Sequence, residues 1–281
     1  MHPSWNLERL TRSFVLFLGE RNKDNNKAIM RKHIPNFITL LNLFCGCVAT
    51  VFAVLNQLEV AGLFVALGIF FDYFDGLAAR VLNVKSELGL QLDSLADMVT
   101  SGLVPGIVMF QLLGLSQMGG WNNEVLNGMT YLGDFQLRSL WPFLGFIITM
   151  ASAYRLAKFN LDENQVSSFI GLPTPANALL ILSLPLILFY HSNNILAEVI
   201  LNQWFLIGLT LLSAFLLNCN LPLFALKFKN WSFTDNALRY IFLIISLVLL
   251  ITMQFLAVPI IILFYVLSSL VSHWSQKTLN S

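Results

Sequence analysis

The sequence predicts an all-α, polytopic membrane bundle of about eight transmembrane helices, with an amphipathic helix on the lipid surface at its N-terminus. Three observations carry this expectation. Of 281 residues, 57% are hydrophobic and only 11% are charged, under half of the roughly 25% charged fraction of an average soluble domain. Mean hydropathy is +0.72, more apolar surface than one soluble core of this length could hide. Finally, several stretches of about 20 residues carry almost no charge, enough helix to cross ~30 Å of hydrocarbon. Period-two alternation is absent, which argues against an outer-membrane barrel.

Residues 1–33 stand apart as a basic leader, holding seven of the sixteen cations (Arg9, Arg12, Arg21, Lys23, Lys27, Arg31, Lys32). Trp5, Leu7, Leu10, Phe14, Phe17 and Leu18 recur at helical spacing, the pattern of a helix lying in the interface. Eight spans are then expected at 34–56, 60–82, 91–114, 137–157, 173–191, 197–217, 237–252 and 255–273. Pro173 and Pro175 suit a helix start, and Pro259 helps to split the last apolar stretch into two helices. This gives a six-helix core over 34–217 and a C-terminal part, 218–281, made of a loop and two further helices.

Charge orients these spans. With the N-terminus in the cytoplasm, the seven leader cations share one side with Arg80, Lys85, Arg155, Lys158, Lys227, Lys229, Arg239 and Lys277. That is fifteen of sixteen, with only Arg138 opposite, so the positive-inside rule puts both termini in the cytoplasm. The net charge of +1 argues against a nucleic-acid partner. Cys45, Cys47 and Cys219 show no disulfide spacing, and the four scattered histidines suggest no zinc site.

The chemistry lies where charge is least expected. Asp72 and Asp75 fall near the cytoplasmic end of the second span, and Asp93 and Asp97 near that of the third. An Asp at mid-bilayer costs about 2.5–3.5 kcal/mol on insertion scales, and less near the interface. The nearby sequence offers mainly Arg80 and Lys85 as partners, so four anions face two cations, an excess that a divalent metal would neutralise. The first two carboxylates are about 60° apart around a helix and the second two about 40°, so each pair shares a face. Gly76, Ala79 and Gly89 place small residues on the same stripes. Asn36, Thr39 and Asn42 form a polar line on the first span, and Thr100 and Ser101 extend the stripe of Asp97. Such a hard-oxygen cage suits Mg²⁺ or Mn²⁺ working with substrate phosphates.

Read as a string, Asp72-x2-Asp75-Gly76-x2-Ala79-Arg80-x8-Gly89-x3-Asp93-x3-Asp97 resembles the CDP-alcohol phosphatidyltransferase signature at every fixed position. Four further stretches resemble its bacterial and archaeal phosphatidylserine synthase branch. They are Ile34–Leu43, Leu92–Asp97, Arg155–Asn160 and Gly171–Ala176. Thr100-Ser101-Gly102 departs from the Ser-Phe-Gly of many relatives.

The resemblance implies that an alcohol attacks the inner phosphorus of a bound CDP-diacylglycerol and expels CMP. In the phosphatidylserine synthase branch that alcohol is L-serine. It further implies Asp72, Asp75, Asp93 and Asp97 as ligands of two divalent ions, with Asp97 also the base. Asn42, Asp72, Gly76, Arg80 and Gly89 become CDP-lipid contacts, and a homodimer in the cytoplasmic membrane is expected. A free amino acid brings a carboxylate, which Arg binds through two parallel hydrogen bonds; this motivates Arg155 as the serine contact. The Asp signature alone leaves glycerol 3-phosphate or inositol open as acceptors. A cation-coupled transporter is a further alternative, disfavoured because the latter half holds no second Asp signature.

Overall fold

A computed structural model describes residues 33–84, 86–117, 140–161, 169–191, 194–223 and 233–279. The expected surface helix, and the cations Lys85, Arg138, Lys227 and Lys229, lie outside these residues. Helix α1 (His33–Val54) and α2 (Leu58–Val81) are joined by a tight turn. Asn56 takes φ +58° there, a region that Asn tolerates better than other side chains do. The last carbonyls of α1 find a partner in a distant helix. Gln111 Nε2 donates to Ala53 O and Val54 O, both at 3.1 Å, which satisfies acceptors that a helix end otherwise leaves open.

Helix α3 (Glu87–Asp97) runs through a π-helical turn (Met98–Leu103) into α4 (Val104–Gln117), 31 residues in all. It opens four residues before the expected 91. Ser86 caps it by accepting from Gly89 N at 3.0 Å, and the polar first turn extends beyond the apolar run. A 3₁₀ turn (Trp141–Gly145) leads into α5 (Phe146–Leu161). The strand β1 (Phe169–Ile170) precedes α6 (Thr174–Tyr190), whose first turn holds Pro175 as its sequence suggested.

The helix expected at 197–217 is two: α7 (Asn194–Ile200) and α8 (Gln203–Asn218), bent by 59°. Asn202 makes the break, its side chain accepting from Trp204 N at 2.9 Å and Phe205 N at 3.2 Å, so α8 has its own N-cap. The strand β2 (Pro222–Leu223) pairs antiparallel with β1, Phe169 opposite Leu223 and Ile170 opposite Pro222.

Helices α9 (Phe233–Met253) and α10 (Ala257–Leu279) follow, joined by a 3₁₀ turn (Gln254–Leu256). The Phe242 ring stacks on Phe264 at 5.7 Å and meets Tyr265 at 5.6 Å. In one straight helix residues 22 apart would be about 33 Å apart, so the chain folds back at Gln254, which takes φ +50°.

By length and composition, four stretches among the described residues can cross a bilayer, with Arg239–Val271 taken as one before its fold-back is considered, or five if α7 and α8 count as one; α6 is apolar but shorter. The architecture is a polytopic helical membrane bundle. Its buried centre is α4, where Val104, Val108, Met109, Leu112, Leu113 and Leu115 are fully enclosed. Helices α5, α6 and α8 pack around them.

Candidate active site

The end of α2 and the start of α3 are neighbours because only a short connection separates them. This brings the two Asp pairs face to face beside α1. Carboxylate oxygens of Asp72, Asp75 and Asp93 all lie within 4.8 Å of one another. Asp75 is buried, and the Thr39 hydroxyl of α1 donates to its Oδ2 at 2.5 Å. Asp93 Oδ1 is buried with no hydrogen-bond partner among the described residues.

Asp97 stands beside this trio rather than within it. Asn42 Nδ2 donates to its Oδ1 at 3.2 Å, and the guanidinium of Arg155 is in electrostatic reach. The sequence pointed to Arg80 and Lys85 as partners for these acids. Arg80 is exposed and Lys85 lies outside the described residues, while a cation in electrostatic reach of Asp97 comes from α5, 58 positions along the chain.

Three carboxylates this close repel one another strongly, and a buried oxygen without a partner costs about 1–3 kcal/mol. A divalent cation would relieve both costs, and an all-oxygen donor set suits a hard ion. The residues present therefore fit a metal at Asp72, Asp75 and Asp93.

Glycine lets the backbones approach. A Cβ on Gly68 of α2 would lie 2.6 Å from Thr100 Cγ2 and 2.9 Å from Asn42 Oδ1; on Gly46 of α1 it would lie 2.4 Å from Thr100 Oγ1. Thr100, on the π turn, also donates to Asn42 O at 3.2 Å. The position that departs from the resembled pattern is thus where α1, α2 and the π turn lock together, one turn from Asp97. Such turns recur at functional sites because they re-aim the residues beside them.

Gly76 is different. Among the described residues its Cβ would meet nothing nearer than Arg80 Nη2 at 3.7 Å, so packing against them gives no reason for glycine there. Gly89 sits in the cap of α3, where a Cβ would be 3.1 Å from Asn36 Oδ1. Arg155 Nη2 makes a long hydrogen bond to Gly171 O at 3.4 Å.

One polar link was not anticipated as a contact. Ser94 Oγ donates to Asn160 Oδ1 at 3.1 Å, and Asn160 Nδ2 donates to Gln91 Oε1 at 3.4 Å. These bonds tie α3 to α5 near Asp93. Both residues lie in motif stretches already noted, but pairing across 66 positions has no signal in helical periodicity.

Comparison with known proteins agrees with this geometry. The CDP-alcohol phosphatidyltransferase family profile matches residues 32–216. A protein of Bacillus subtilis (strain 168) named CDP-diacylglycerol–serine O-phosphatidyltransferase is 34% identical over 147 residues, covering 51% of this chain and 70% of that protein. One of the same name from Methanocaldococcus jannaschii is 32% identical over 181 residues, 64% of this chain and 71% of that protein. A Helicobacter pylori (strain J99) protein, also so named, is 28% identical over 149 residues, and the match spans about half of its length, 54%. With both Asp pairs inside a match that covers more than half of its length, the chain belongs to the CDP-alcohol phosphatidyltransferase family.

Proposed function

We propose that the chain transfers the phosphatidyl group of CDP-diacylglycerol to the hydroxyl of L-serine, giving phosphatidylserine and CMP. The carboxylate cluster on the signature positions carries the transferase reading, and the names of the relatives favour serine as acceptor. In the reaction a bond forms between the seryl oxygen and the inner phosphorus, and the bond from that phosphorus to the CMP oxygen breaks.

Asp72, Asp75 and Asp93 would hold the metal in this reading, and Asp97 would serve as a ligand of a second ion; Mg²⁺ and Mn²⁺ both suit oxygen donors. When bound, the metal supplies neutralisation of charge on the phosphate oxygens. Asp97 accepts the seryl proton, a task for a carboxylate within hydrogen-bond reach, and Asn42 keeps it oriented. Gly76 lets the nucleotide approach the α2 backbone, and Arg80, exposed at the end of that helix, meets phosphate. Gly89 shapes the neighbouring cap. Arg155 takes the carboxylate of serine.

Acyl chains enter from the bilayer, while serine and metal come from the cytoplasm. That side follows from the positive-inside distribution, as do eight crossings with both termini inside. The count rests on the fold-back at Gln254 together with α5, α6 and the bent α7–α8 pair. We read 1–33 as leader, 34–217 as catalytic core and 218–281 as a C-terminal addition, with the active protein a homodimer.

The test is CMP release by detergent-purified protein given CDP-diacylglycerol and Mn²⁺ or Mg²⁺, comparing serine, inositol, glycerol 3-phosphate and no alcohol. Release with serine alone, with phosphatidylserine identified by mass, is expected. Release with another alcohol instead would overturn the acceptor, and no release from folded protein would overturn the transferase reading.

A further inference from the structure

The family match ends at residue 216, yet the residues just beyond it touch the acceptor end of the site. Gly171 N donates to Leu221 O at 3.0 Å, and Leu172 N donates to Leu216 O at 2.8 Å. Gly171 takes φ +74°, and a Cβ there would sit 2.7 Å from Leu217 O and 3.1 Å from Cys219 O. The segment therefore lies flat on the end of α8, in a conformation that favours glycine. Its carbonyl is the one that accepts from Arg155. Helix α5 is tied to the same place, since Asn218 Nδ2 donates to Ala151 O at 3.0 Å and Lys158 Nζ to Asn220 Oδ1 at 3.5 Å.

A second layer holds this arrangement. The β1–β2 pair closes the segment immediately before Gly171 onto Pro222 and Leu223. Leu223 is buried, and α10 packs against β2 and against α6. A continuous path of backbone pairing and packing thus runs from the C-terminal hairpin through β2 to Gly171 and Arg155.

We infer that the region after residue 216 is a positioning element for the acceptor. By clamping the 169–172 segment it aims the Gly171 carbonyl, which in turn fixes one arm of the Arg155 guanidinium. In the proposed function that guanidinium is the group that addresses the serine carboxylate. Leu223 is the positioning residue through which α10 acts. The inference rests on the reading that Arg155 binds the serine carboxylate.

The experiment measures serine and CDP-diacylglycerol Michaelis constants, kcat and melting temperature for full-length Leu223→Ala, Leu223→Ile, Arg155→Lys and the Leu223→Ala/Arg155→Lys double variant. Leu223→Ala should raise the serine KM about three- to tenfold, the scale of a weakened hydrogen bond to a charged group. The CDP-diacylglycerol KM and kcat should stay within about twofold of wild type, well under a tenfold step of 1.4 kcal/mol. Leu223→Ile, which keeps the buried volume, should restore wild-type behaviour, and Leu223→Val carries the same test if the alanine variant is not recovered folded. In the Arg155→Lys background Leu223→Ala should add nothing, the non-additivity expected of residues acting through one contact. A fall in melting temperature without a change in serine KM overturns the inference, as does an equal rise in both Michaelis constants or strict additivity. If Arg155→Lys raises the serine KM while Leu223→Ala does not, the Arg155 reading stands and the inference alone fails. If Arg155→Lys itself leaves the serine KM unchanged, both fall.

Discussion

The 31-residue stretch from Glu87 to Gln117 is two different materials joined by a π turn. Its first half carries Asp93, Asp97 and, on the turn itself, the buried hydroxyls Thr100 and Ser101. Several polar atoms around it have no hydrogen-bond partner among the described residues, including Asp93 Oδ1, Asn42 Oδ1 and Ser101 Oγ. The second half, α4, encloses Val104, Val108, Met109, Leu112 and Leu113 completely, and its buried Gln111 amide spends itself on the end of α1. The apolar half is closed by packing, whereas the polar half keeps buried atoms without a partner among the described residues. Natural interiors pair nearly all of their buried polar groups, so unpaired ones beside the carboxylates fit the metal and ligand proposed there. Stability and chemistry are thereby separated along a single helix.

Mutations can break that separation. The largest effect is expected on the polar half: Asp97→Asn should cut CMP release by about 10²–10⁴-fold, the range for loss of a general base. Melting temperature and CDP-lipid binding should hold. An Asp97→Asn enzyme with near-normal turnover would remove the base role.

Chelation follows. Stripping divalent ions with EDTA should stop CMP release and lower the melting temperature, because the close carboxylates lose their counter-charge; Mg²⁺ or Mn²⁺ should restore both. Unchanged activity after exhaustive chelation would contradict a metal at Asp72, Asp75 and Asp93.

The apolar half should respond in the opposite sense. Leu112→Ala should cost about 2–5 kcal/mol of stability by opening a cavity, while kcat of the folded fraction stays at the wild-type value. A selective loss of kcat at unchanged stability would show that the two halves are not separable.

The smallest effects sharpen the contrast between two glycines eight residues apart on α2. Gly68→Ala should destabilise by about 1–3 kcal/mol through overpacking, because its Cβ meets Thr100 and Asn42. Gly76→Ala has open space in the chain and gains about 1 kcal/mol of helix propensity. It should leave the melting temperature level or raised, yet increase the CDP-diacylglycerol KM. Equal melting temperatures and Michaelis constants for the two variants would erase the distinction.

Much of this was legible in the sequence. Hydropathy runs located α1, α2, α6 and α9 to within about four residues, because burial in lipid demands long uncharged segments whatever the neighbours are. The expectation missed at 137–157, where a 3₁₀ turn at Trp141–Gly145 delays the helix to Phe146, and at 197–217, where a polar Asn202 in an apolar run capped a second helix instead of interrupting one. The spacing of the carboxylates placed each pair on one helical face, since a 3.6-residue repeat is a local property. Periodicity could not say that Thr39 would meet Asp75, or that Asn160 would bridge Ser94 and Gln91. Those contacts depend on how separate helices are rotated against one another.

Sequence alone was therefore enough for membrane class, the approximate helices, the four acids and their chemical kind. Insertion cost and helical geometry are properties of a residue and its near neighbours. Tertiary structure decided which acids converge and which described cation comes within electrostatic reach of Asp97. It gathered Asp72, Asp75 and Asp93, set Asp97 beside them against Asn42, and brought in Arg155 rather than Arg80. It also carried the chain beyond residue 216 back to Gly171. Each of these outcomes is set by close packing between helices, through Gly46 and Gly68 against Thr100 and through the clamp on Gly171. That fit is a property of surfaces in three dimensions, which no pattern along one chain segment encodes.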